Sequence, residues 1–267
     1  MDTLQAIIFD MDGTLADTEE IHRRAFNQAF TEFDCDWQWS QQDYITLLKI
    51  SGGRERIRNF LEKMSGPKAR HSVERRAREI HRRKSEIYRD MLAGYISLRP
   101  GVERLIREAR ARHITLAVAT SSSRKNLETL LHNTLGDGAL GWFRTIVSCE
   151  TVLEKKPSPA VYQYVLAQLG VKPEHCMAIE DTQNGNLAAL AAGIRTIITT
   201  HQFTTDDDFS GASLVLDQLG EPGSPFSVSA GNAHGAAFVD VNLLQMLLAD
   251  DLHSGQGDTW TRMAAVK

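Results

Sequence analysis

Two aspartates near the amino terminus, Asp10 and Asp12, follow an apolar run and have the spacing to act on one substrate. The run is Ala-Ile-Ile-Phe at residues 6–9, and Gly13 comes directly after the pair. Such a run is typical of a buried central strand, and open α/β sheets bind their ligands at the carboxyl ends of these strands. Gly13 allows a sharp backbone turn, so both carboxylates can point at the same place.

Two carboxylates this close repel each other, so the pair predicts a bound cation, a shared proton or both. One of them can then bind a metal and act as a nucleophile while the other moves a proton. Acidic residues also end strands in ordinary turns. The apolar residues before Asp10 and the Gly-Thr-Leu sequence after Asp12 favour the functional interpretation.

Polar residues also stand at the ends of later apolar runs. Thr120 and Ser121 follow a run at residues 114–119, where a hydroxyl and exposed backbone N–H groups can bind an anion. Lys156 precedes a proline, which holds the lysine backbone extended and gives its ammonium a fixed direction. Taken alone, these residues suit a helix cap and a surface lysine.

A second pair of acids, Glu180 and Asp181, ends a later apolar run at residues 177–179. Taken alone, these are ordinary cap and turn acids. Their position in the series changes that interpretation, because parallel strands bring all of their carboxyl ends to one edge of a sheet. The sequence therefore predicts one site that contains acids, a hydroxyl and a lysine.

A parallel sheet would have to position these residues. The second half of the chain has the alternation of strands and helices that is typical of such a sheet. Short apolar strands alternate with helical patterns, and the strands are predicted at residues 114–119, 145–148, 177–179, 196–198 and 214–216. This alternation predicts right-handed crossovers and a doubly wound parallel α/β sheet, a Rossmann-like core that also contains the first strand.

Between the first strand and the rest of the sheet, the pattern is helical only. We expect a small helical cap domain there, inserted into the core. A basic run at residues 75–84 falls on its fourth helix, and a solvated outer face explains that run. The expected division is core 1–17, cap 18–97, core 98–218, then a tail 219–267 with a linker at 222–237, a helix at 239–248 and a frayed end.

The composition excludes several classes of protein. The chain has 267 residues, 42% of them hydrophobic, which can bury one core and a smaller second unit. A net charge of −4 gives no sign of a nucleic-acid or membrane partner, and three scattered cysteines give none of a disulfide framework. No apolar run approaches the ~20 residues of a membrane span, and the first strand begins too early for a targeting peptide. We expect a cytoplasmic monomer.

The ordered strand-end residues resemble the four motifs of the haloacid dehalogenase-like hydrolases, which are mostly phosphatases. The sequence Asp-Met-Asp-Gly-Thr at residues 10–14 resembles the first motif, and the likeness extends to about residue 216. The resemblance implies that Asp10 attacks phosphorus in line and forms an aspartyl phosphate. It implies that Asp12 protonates the leaving oxygen and then deprotonates the hydrolytic water.

The later motifs complete the implied site. Thr120 would hold the transferring phosphoryl group, and Lys156 would neutralise its charge. The implied cofactor is Mg²⁺, bound by the side chains of Asp10, Glu180 and Asp181 and by the backbone carbonyl of Asp12. The chemistry agrees, because Mg²⁺ prefers oxygen ligands and phosphoryl transfer depends on positioning and charge neutralisation.

The helical insertion resembles the small cap of one branch of this superfamily, whose closure excludes water. Polar cap residues should then face the core. The candidates for substrate binding are Asp17, His22, Tyr44, Gly52, Gly53, Arg54 and Arg56, together with Ser121 of the core. Arg54 and Arg56 beside two glycines suit a second phosphate, because arginine binds phosphate through two N–H groups. The alternative is a helix start with solvated arginines.

Three segments narrow the resemblance to the CbbY-type phosphatases, namely residues 19–27, 52–57 and 98–101. These enzymes remove the 1-phosphate from xylulose-1,5-bisphosphate, an inhibitory by-product of the carbon-fixing carboxylase of the Calvin cycle. They usually have lysine where this chain has Arg54, and often glutamate where it has Asp17. Charge is kept at both positions, although the reach of the side chain differs.

Three other functions stay open. A β-phosphoglucomutase would share the core, the cap and His22, but would return the phosphoryl group to a sugar; the loop at residues 52–56 disfavours it. A broad-specificity sugar phosphatase would use the same core. A catalytically inactive sugar-phosphate-binding regulator would use the same fold, but would have no need for Asp10 and Asp12 together.

Overall fold

In the computed structural model, which describes residues 4–65, 70–94 and 96–254, one sheet of seven strands forms the core. The strands are β1 (Ala6–Phe9), β2 (Thr115–Ala119), β3 (Thr145–Val147), β4 (Cys176–Glu180), β5 (Arg195–Thr199), β6 (Leu214–Leu216) and β7 (Val228–Gly231). Their order is β3-β2-β1-β4-β5-β6-β7, and every pairing is parallel except that of β6 with β7. This confirms the predicted doubly wound α/β sheet.

Helices connect the strands. They are α1 (Glu19–Glu32), α2 (Gln41–Leu48), α3 (Gly53–Ser65), α4 (Arg70–Leu92), α5 (Val102–Ala111), α6 (Arg124–Leu135), α7 (Ala160–Leu169), α8 (Gln183–Ala191) and α9 (Val241–Ser254). The first four lie between β1 and α5, and we call them the cap helices. No helix within the described ranges is long and apolar enough to cross a membrane.

The register of the central strands fixes the position of the site. All four residues of β1 are fully buried, as expected for a strand with a neighbour on each side and helices on both faces. Phe9 pairs with Val118 of β2 and with Ile179 of β4. The next residues along the three strands therefore come level with one another, which brings Asp10 beside Glu180.

The cap helices and one face of the sheet share a continuous hydrophobic core, which includes Phe26 of the cap and Phe9 of β1. The aromatic side chains of the cap form one cluster: Phe26, Phe30, Trp37, Trp39, Tyr44 and Phe60. Helix α2 begins at a capping box, in which the Ser40 hydroxyl accepts from the Asp43 backbone and Asp43 accepts from the Ser40 backbone. These contacts hold the cap helices to one another, and the division of the chain into a cap at residues 18–97 and a core stays a prediction.

Arg99 ties the chain leaving the cap helices to the catalytic edge. Its guanidinium donates to the backbone carbonyls of Thr199, at 2.9 Å, Thr200, at 2.7 Å, and Asp217, at 2.6 Å, and also to that of Gly13. One half-buried cation therefore satisfies carbonyl groups at the ends of β5 and β6 and in the loop after β1. This arrangement fixes the start of the second core segment against the loop that carries the two aspartates.

The tail is more structured than predicted. Residues 222–237 were expected to be a linker, but β7 lies within them and pairs with β6. The prediction is wrong there because all four residues of β7 are exposed, so backbone hydrogen bonds hold the strand without an apolar pattern. The helix expected at residues 239–248 corresponds to α9. The end that was expected to be frayed, residues 255–267, lies outside the described ranges.

Candidate active site

The centre of the site is a buried lysine between two carboxylates. Lys156 Nζ lies 2.6 Å from Asp10 Oδ1 and 2.9 Å from the carbonyl oxygen of Ala119, and it also contacts Glu180 Oε1. The Tyr162 hydroxyl donates to the same Glu180 oxygen. Burial works against the ammonium, but the two carboxylates hold the pKa of Lys156 above its ordinary value. The lysine therefore stays charged beside Asp10.

Asp10, Glu180 and Asp181 form a group that could hold a metal ion. One ligand atom from each lies within 4.8 Å of the others, and all three residues are buried. Burial raises the pKa of both Asp10 and Glu180, and each is raised further by neighbouring carboxylates. Three buried acids with only oxygen donors suit a hard divalent cation, which would supply positive charge beyond that of Lys156.

Two glycines make room for these carboxylates. A Cβ atom on Gly185, in the first turn of α8, would lie 1.9 Å from Glu180 Oε2. A Cβ on Gly13 would lie 2.1 Å from Asp181 Oδ2, and the positive φ of +82° at Gly13 also favours glycine. The acids can therefore come close to the backbone of the turn and of the helix start.

Asp181 is held at both of its oxygens. Thr14 Oγ1 donates to Oδ1 at 3.2 Å, and His201 Nε2 lies 2.9 Å from Oδ2. Thr14 belongs to the predicted motif, whereas His201 follows β5 and was not predicted.

Asp12 receives three hydrogen bonds at one oxygen. The donors to Oδ1 are Thr18 Oγ1 at 2.7 Å, Tyr88 OH at 2.9 Å and His22 Nε2 at 2.9 Å. Burial opposes the charge, but His22 and the two hydroxyls together hold the pKa of Asp12 well below its usual value. Asp12 is therefore a carboxylate, and its other oxygen is the one available to a substrate.

A lysine of the cap helices stands behind His22. Lys84 Nζ contacts His22 Nδ1, and the imidazole stacks on the Tyr88 ring with the ring centroids 3.9 Å apart. Since an ammonium can only donate, Nδ1 accepts and Nε2 carries the hydrogen that goes to Asp12. Burial lowers the pKa of Lys84 to about 7, and it lowers the pKa of His22 as well. His22 is therefore a neutral donor to Asp12.

The turn after β2 is partly occupied by its own hydrogen bonds. Thr120 Oγ1 accepts from the Ser122 backbone at 2.9 Å, and Ser123 caps α6 by accepting from the Asn126 backbone at 3.2 Å. The cap of α6 is therefore Ser123 and neither Thr120 nor Ser121. Thr120 and Ser121 both line the cavity beside Asp10, as an anion-binding turn requires.

One cavity lies between the strand ends and the cap helices. The residues around it include Asp10, Asp12, Glu19, His22, Gly52, Gly53, Arg56, His81, Lys84, Thr120, Ser121, Lys156 and Asp181. It therefore joins the four core motifs to the cap. Most of the substrate-binding residues expected from the sequence lie on its wall.

Three of the expected residues lie elsewhere. Asp17 is exposed and off the cavity wall; α1 begins at Glu19, whose buried carboxylate reaches the cavity instead. Tyr44 is buried behind the wall, where its hydroxyl bonds to Glu19 at 2.7 Å. Arg54 lines a neighbouring cavity; its side chain is 43% exposed and pairs with Glu55 at 3.1 Å.

The prediction that the basic run on α4 is a solvated face is wrong at the last residue of the run. Residues 75–84 were expected to form a solvated face, but Lys84 is only 3% exposed. His81, Lys84 and Tyr88 follow one another at spacings of three and four, so helical geometry places them on the face turned toward the core. That spacing indicates a buried face, but the many arginines around these residues favoured the interpretation as a solvated face.

Comparison with known proteins gives concordant matches. A family model described as haloacid dehalogenase-like hydrolase matches residues 7–199. The protein "CbbY, plasmid" of Cupriavidus necator is 44% identical over 224 residues, which cover 83% of this chain and 88% of that protein.

Solved structures agree with this match. CbbY from Rhodobacter sphaeroides in complex with phosphate is 43% identical, with a TM-score of 0.75 over 81% of this chain and 95% of that one. A mutant of that protein in complex with xylulose-(1,5)bisphosphate has a TM-score of 0.75, 42% identity and the same coverage of 81% and 95%.

Proposed function

The chain belongs to the haloacid dehalogenase-like hydrolases, and we propose that it is a magnesium-dependent phosphatase that removes the 1-phosphate of xylulose-1,5-bisphosphate. The family match confirms the resemblance drawn from the sequence. The coarser statement, that the chain is a phosphoric monoester hydrolase acting on sugar phosphates, follows from the family and its relatives. The substrate and the metal are the proposed part.

The observation that carries the proposal is the charge around the cavity between the strand ends and the cap helices. Lys156 lies beside Asp10 on the core side, while Arg56 and Lys84 reach the same cavity from the cap helices. A sugar with one phosphate needs only the first of these cationic groups. The second group, which comes from the cap side of the cavity, suits a substrate with a second phosphate.

The proposed reaction begins at Asp10. Its carboxylate attacks the phosphorus of the 1-phosphate in line, an oxygen–phosphorus bond forms, and the bond to the sugar oxygen breaks. Lys156 neutralises charge on the phosphoryl oxygens, and the turn at Thr120 and Ser121 holds them. Xylulose 5-phosphate leaves in this first step, once Asp12 has protonated its oxygen. Water then attacks the aspartyl phosphate, which releases inorganic phosphate and restores the Asp10 carboxylate.

Asp12 moves the proton in both steps. It is ionised in the protein alone, and the approach of a phosphate dianion raises its pKa, because like charges disfavour the ionised form. Asp12 then takes up a proton, donates it to the leaving sugar oxygen, and accepts one from the attacking water. His22 and Tyr88 hold it through Oδ1 from the cap helices, so its alignment depends on the cap lying over the core.

We assign the metal site to Asp10, Glu180 and Asp181, with the backbone carbonyl of Asp12. The donor set fits Mg²⁺ because it contains only oxygen ligands, which hard cations prefer. When bound, Mg²⁺ would supply positive charge against the transferring phosphoryl group. The expectations of a monomer and of a cytoplasmic location stay predictions.

The test is a panel of phosphosugars with Mg²⁺, assayed for released phosphate. We expect the highest kcat/KM on xylulose-1,5-bisphosphate and much lower values on monophosphates and on an aryl phosphate. A mutase would instead convert β-glucose 1-phosphate to glucose 6-phosphate with little free phosphate. Higher efficiency on a monophosphate would contradict the substrate proposal, and full activity after exhaustive chelation would contradict the metal.

A further inference from the structure

We propose that His201 is a positioning residue for the metal site: it fixes the orientation of the Asp181 carboxylate and so sets the affinity of the site for a divalent cation. The inference rests on the proposed function only in taking Asp181 as a metal ligand. His201 stands two residues beyond β5, and its Nε2 lies 2.9 Å from Asp181 Oδ2. The two side chains are 4% and 1% exposed.

The surrounding hydrogen bonds identify which nitrogen donates. His201 Nδ1 accepts from the Phe203 backbone at 3.3 Å, so in the neutral imidazole Nε2 carries the hydrogen and donates to Asp181. The backbone of His201 is fixed as well, because its carbonyl accepts from the Thr204 backbone at 2.9 Å and from the Thr205 hydroxyl at 3.0 Å. The imidazole is thus a rigid donor.

The Asp181 carboxylate is held in one orientation by a hydrogen bond at each of its two oxygens. Thr14 donates to Oδ1 and His201 to Oδ2, so rotation of the carboxylate would break a buried hydrogen bond. Gly13 packs against the same contact: a Cβ there would lie 2.1 Å from Asp181 Oδ2 and 2.7 Å from His201 Nε2. The glycine of the first motif therefore leaves the space in which this pair forms.

Orientation of a carboxylate ligand affects Mg²⁺ binding directly. Mg²⁺ demands a nearly regular octahedron, so a ligand held in place before binding loses little freedom when the ion arrives. Partners that hold a metal ligand typically change affinity 10- to 100-fold when they are removed. His201 lies outside the group of three acids that could hold the ion, so it acts through Asp181.

Two variants of equal size separate this role from simple packing. His201→Gln keeps an N–H donor, whereas His201→Met has nearly the same shape and no donor. His234→Ala is the matched control, because it breaks another His–Asp pair, with Asp250 at 2.8 Å, that does not line the cavity. The full chain is titrated with Mn²⁺ without substrate, and free Mn²⁺ is measured by electron paramagnetic resonance.

We expect His201→Met to weaken Mn²⁺ binding about 10- to 100-fold, and His201→Gln to stay within about threefold of wild type. The control should bind as wild type, and the KM for the sugar phosphate should not change at saturating metal. Equal Mn²⁺ affinities for the glutamine and methionine variants would overturn the proposal, even if both melt at a lower temperature.

Failure of this inference can be told from failure of the proposed function. Mn²⁺ binding is measured without any sugar phosphate, so a wrong substrate leaves the result intact. If the wild-type chain binds no Mn²⁺, the metal site itself is refuted, and with it the role of His201. If wild type binds Mn²⁺ and His201→Met binds it equally well, the role of His201 alone is refuted.

Discussion

Replacing Arg56 with alanine should impair hydrolysis of a bisphosphate selectively. Two of the five N–H groups of the guanidinium are committed within the cap helices: Nε donates to the Ile50 carbonyl at 2.9 Å and Nη1 to the Tyr44 hydroxyl at 3.0 Å. The remaining N–H groups can bind a phosphate, since Arg56 lines the cavity. The protein therefore fixes the position of the guanidinium, and the remaining N–H groups are the ones that a phosphate in the cavity could use.

The size of the effect follows from the free energy of one hydrogen bond between Arg56 and a phosphate. A hydrogen bond to a charged group contributes about 1.5–3 kcal/mol, so loss of one phosphate contact of about 2 kcal/mol lowers kcat/KM ~30-fold. The loss of the two internal bonds affects every substrate alike through the packing of the cap. The ratio of kcat/KM on xylulose-1,5-bisphosphate to that on a small aryl phosphate isolates the phosphate contact.

Arg54→Ala is the matched control for Arg56→Ala. Arg54 is two residues away, 43% exposed, and lines the neighbouring cavity. We expect its loss to change the same ratio only a few-fold. An Arg56→Ala enzyme that keeps its bisphosphate turnover, or that loses activity equally on both substrates, would refute the assignment of a second phosphate to Arg56.

Three further changes test other parts of the site. Because burial lowers the pKa of Lys84 to about 7, kcat/KM should fall as the pH rises through 7 and the ammonium loses its charge. The Lys84→Arg variant stays charged and should remove that fall. A variant with the same pH profile as wild type would contradict a role for the Lys84 charge in substrate binding. Gly185→Ala should nearly abolish turnover and Mn²⁺ binding, because its Cβ would lie 1.9 Å from Glu180 Oε2, whereas Gly141→Ala, with nothing within 4 Å, should behave as wild type. Asp10→Asn should fold normally, by circular dichroism, and lose turnover by several orders of magnitude; near-normal activity would rule out Asp10 as the nucleophile.

The part of the site that belongs to the sheet could be predicted because strand order and register leave little freedom. An apolar run that ends in an acid places that acid at the carboxyl edge, and parallel pairing then brings Asp10 level with Glu180. Local pattern and topology were sufficient for these two acids. Lys156 stands nine residues beyond the last residue of β3, so its inclusion depended on the resemblance to the ordered motifs of the family.

The partners of these residues could not be predicted, because they come from distant parts of the chain. Tyr88 bonds to Asp12 across 76 positions, and His201 reaches Asp181 from the end of another strand. The spacing on α4 turns Tyr88 toward the core but does not identify Asp12 as its partner, and the contact of His201 depends on the path of one loop. Glu19 was missed in favour of Asp17 because the exact start of α1 decides which acid turns inward.

The most direct test of the proposed function is a ³¹P nuclear magnetic resonance time course of the purified chain with Mg²⁺ and xylulose-1,5-bisphosphate. We predict that the 1-phosphate signal disappears while inorganic phosphate appears in equal amount, and that the 5-phosphate signal persists as xylulose 5-phosphate. Loss of the 5-phosphate instead, or an unchanged bisphosphate under conditions in which the same preparation hydrolyses a sugar monophosphate, would contradict the account.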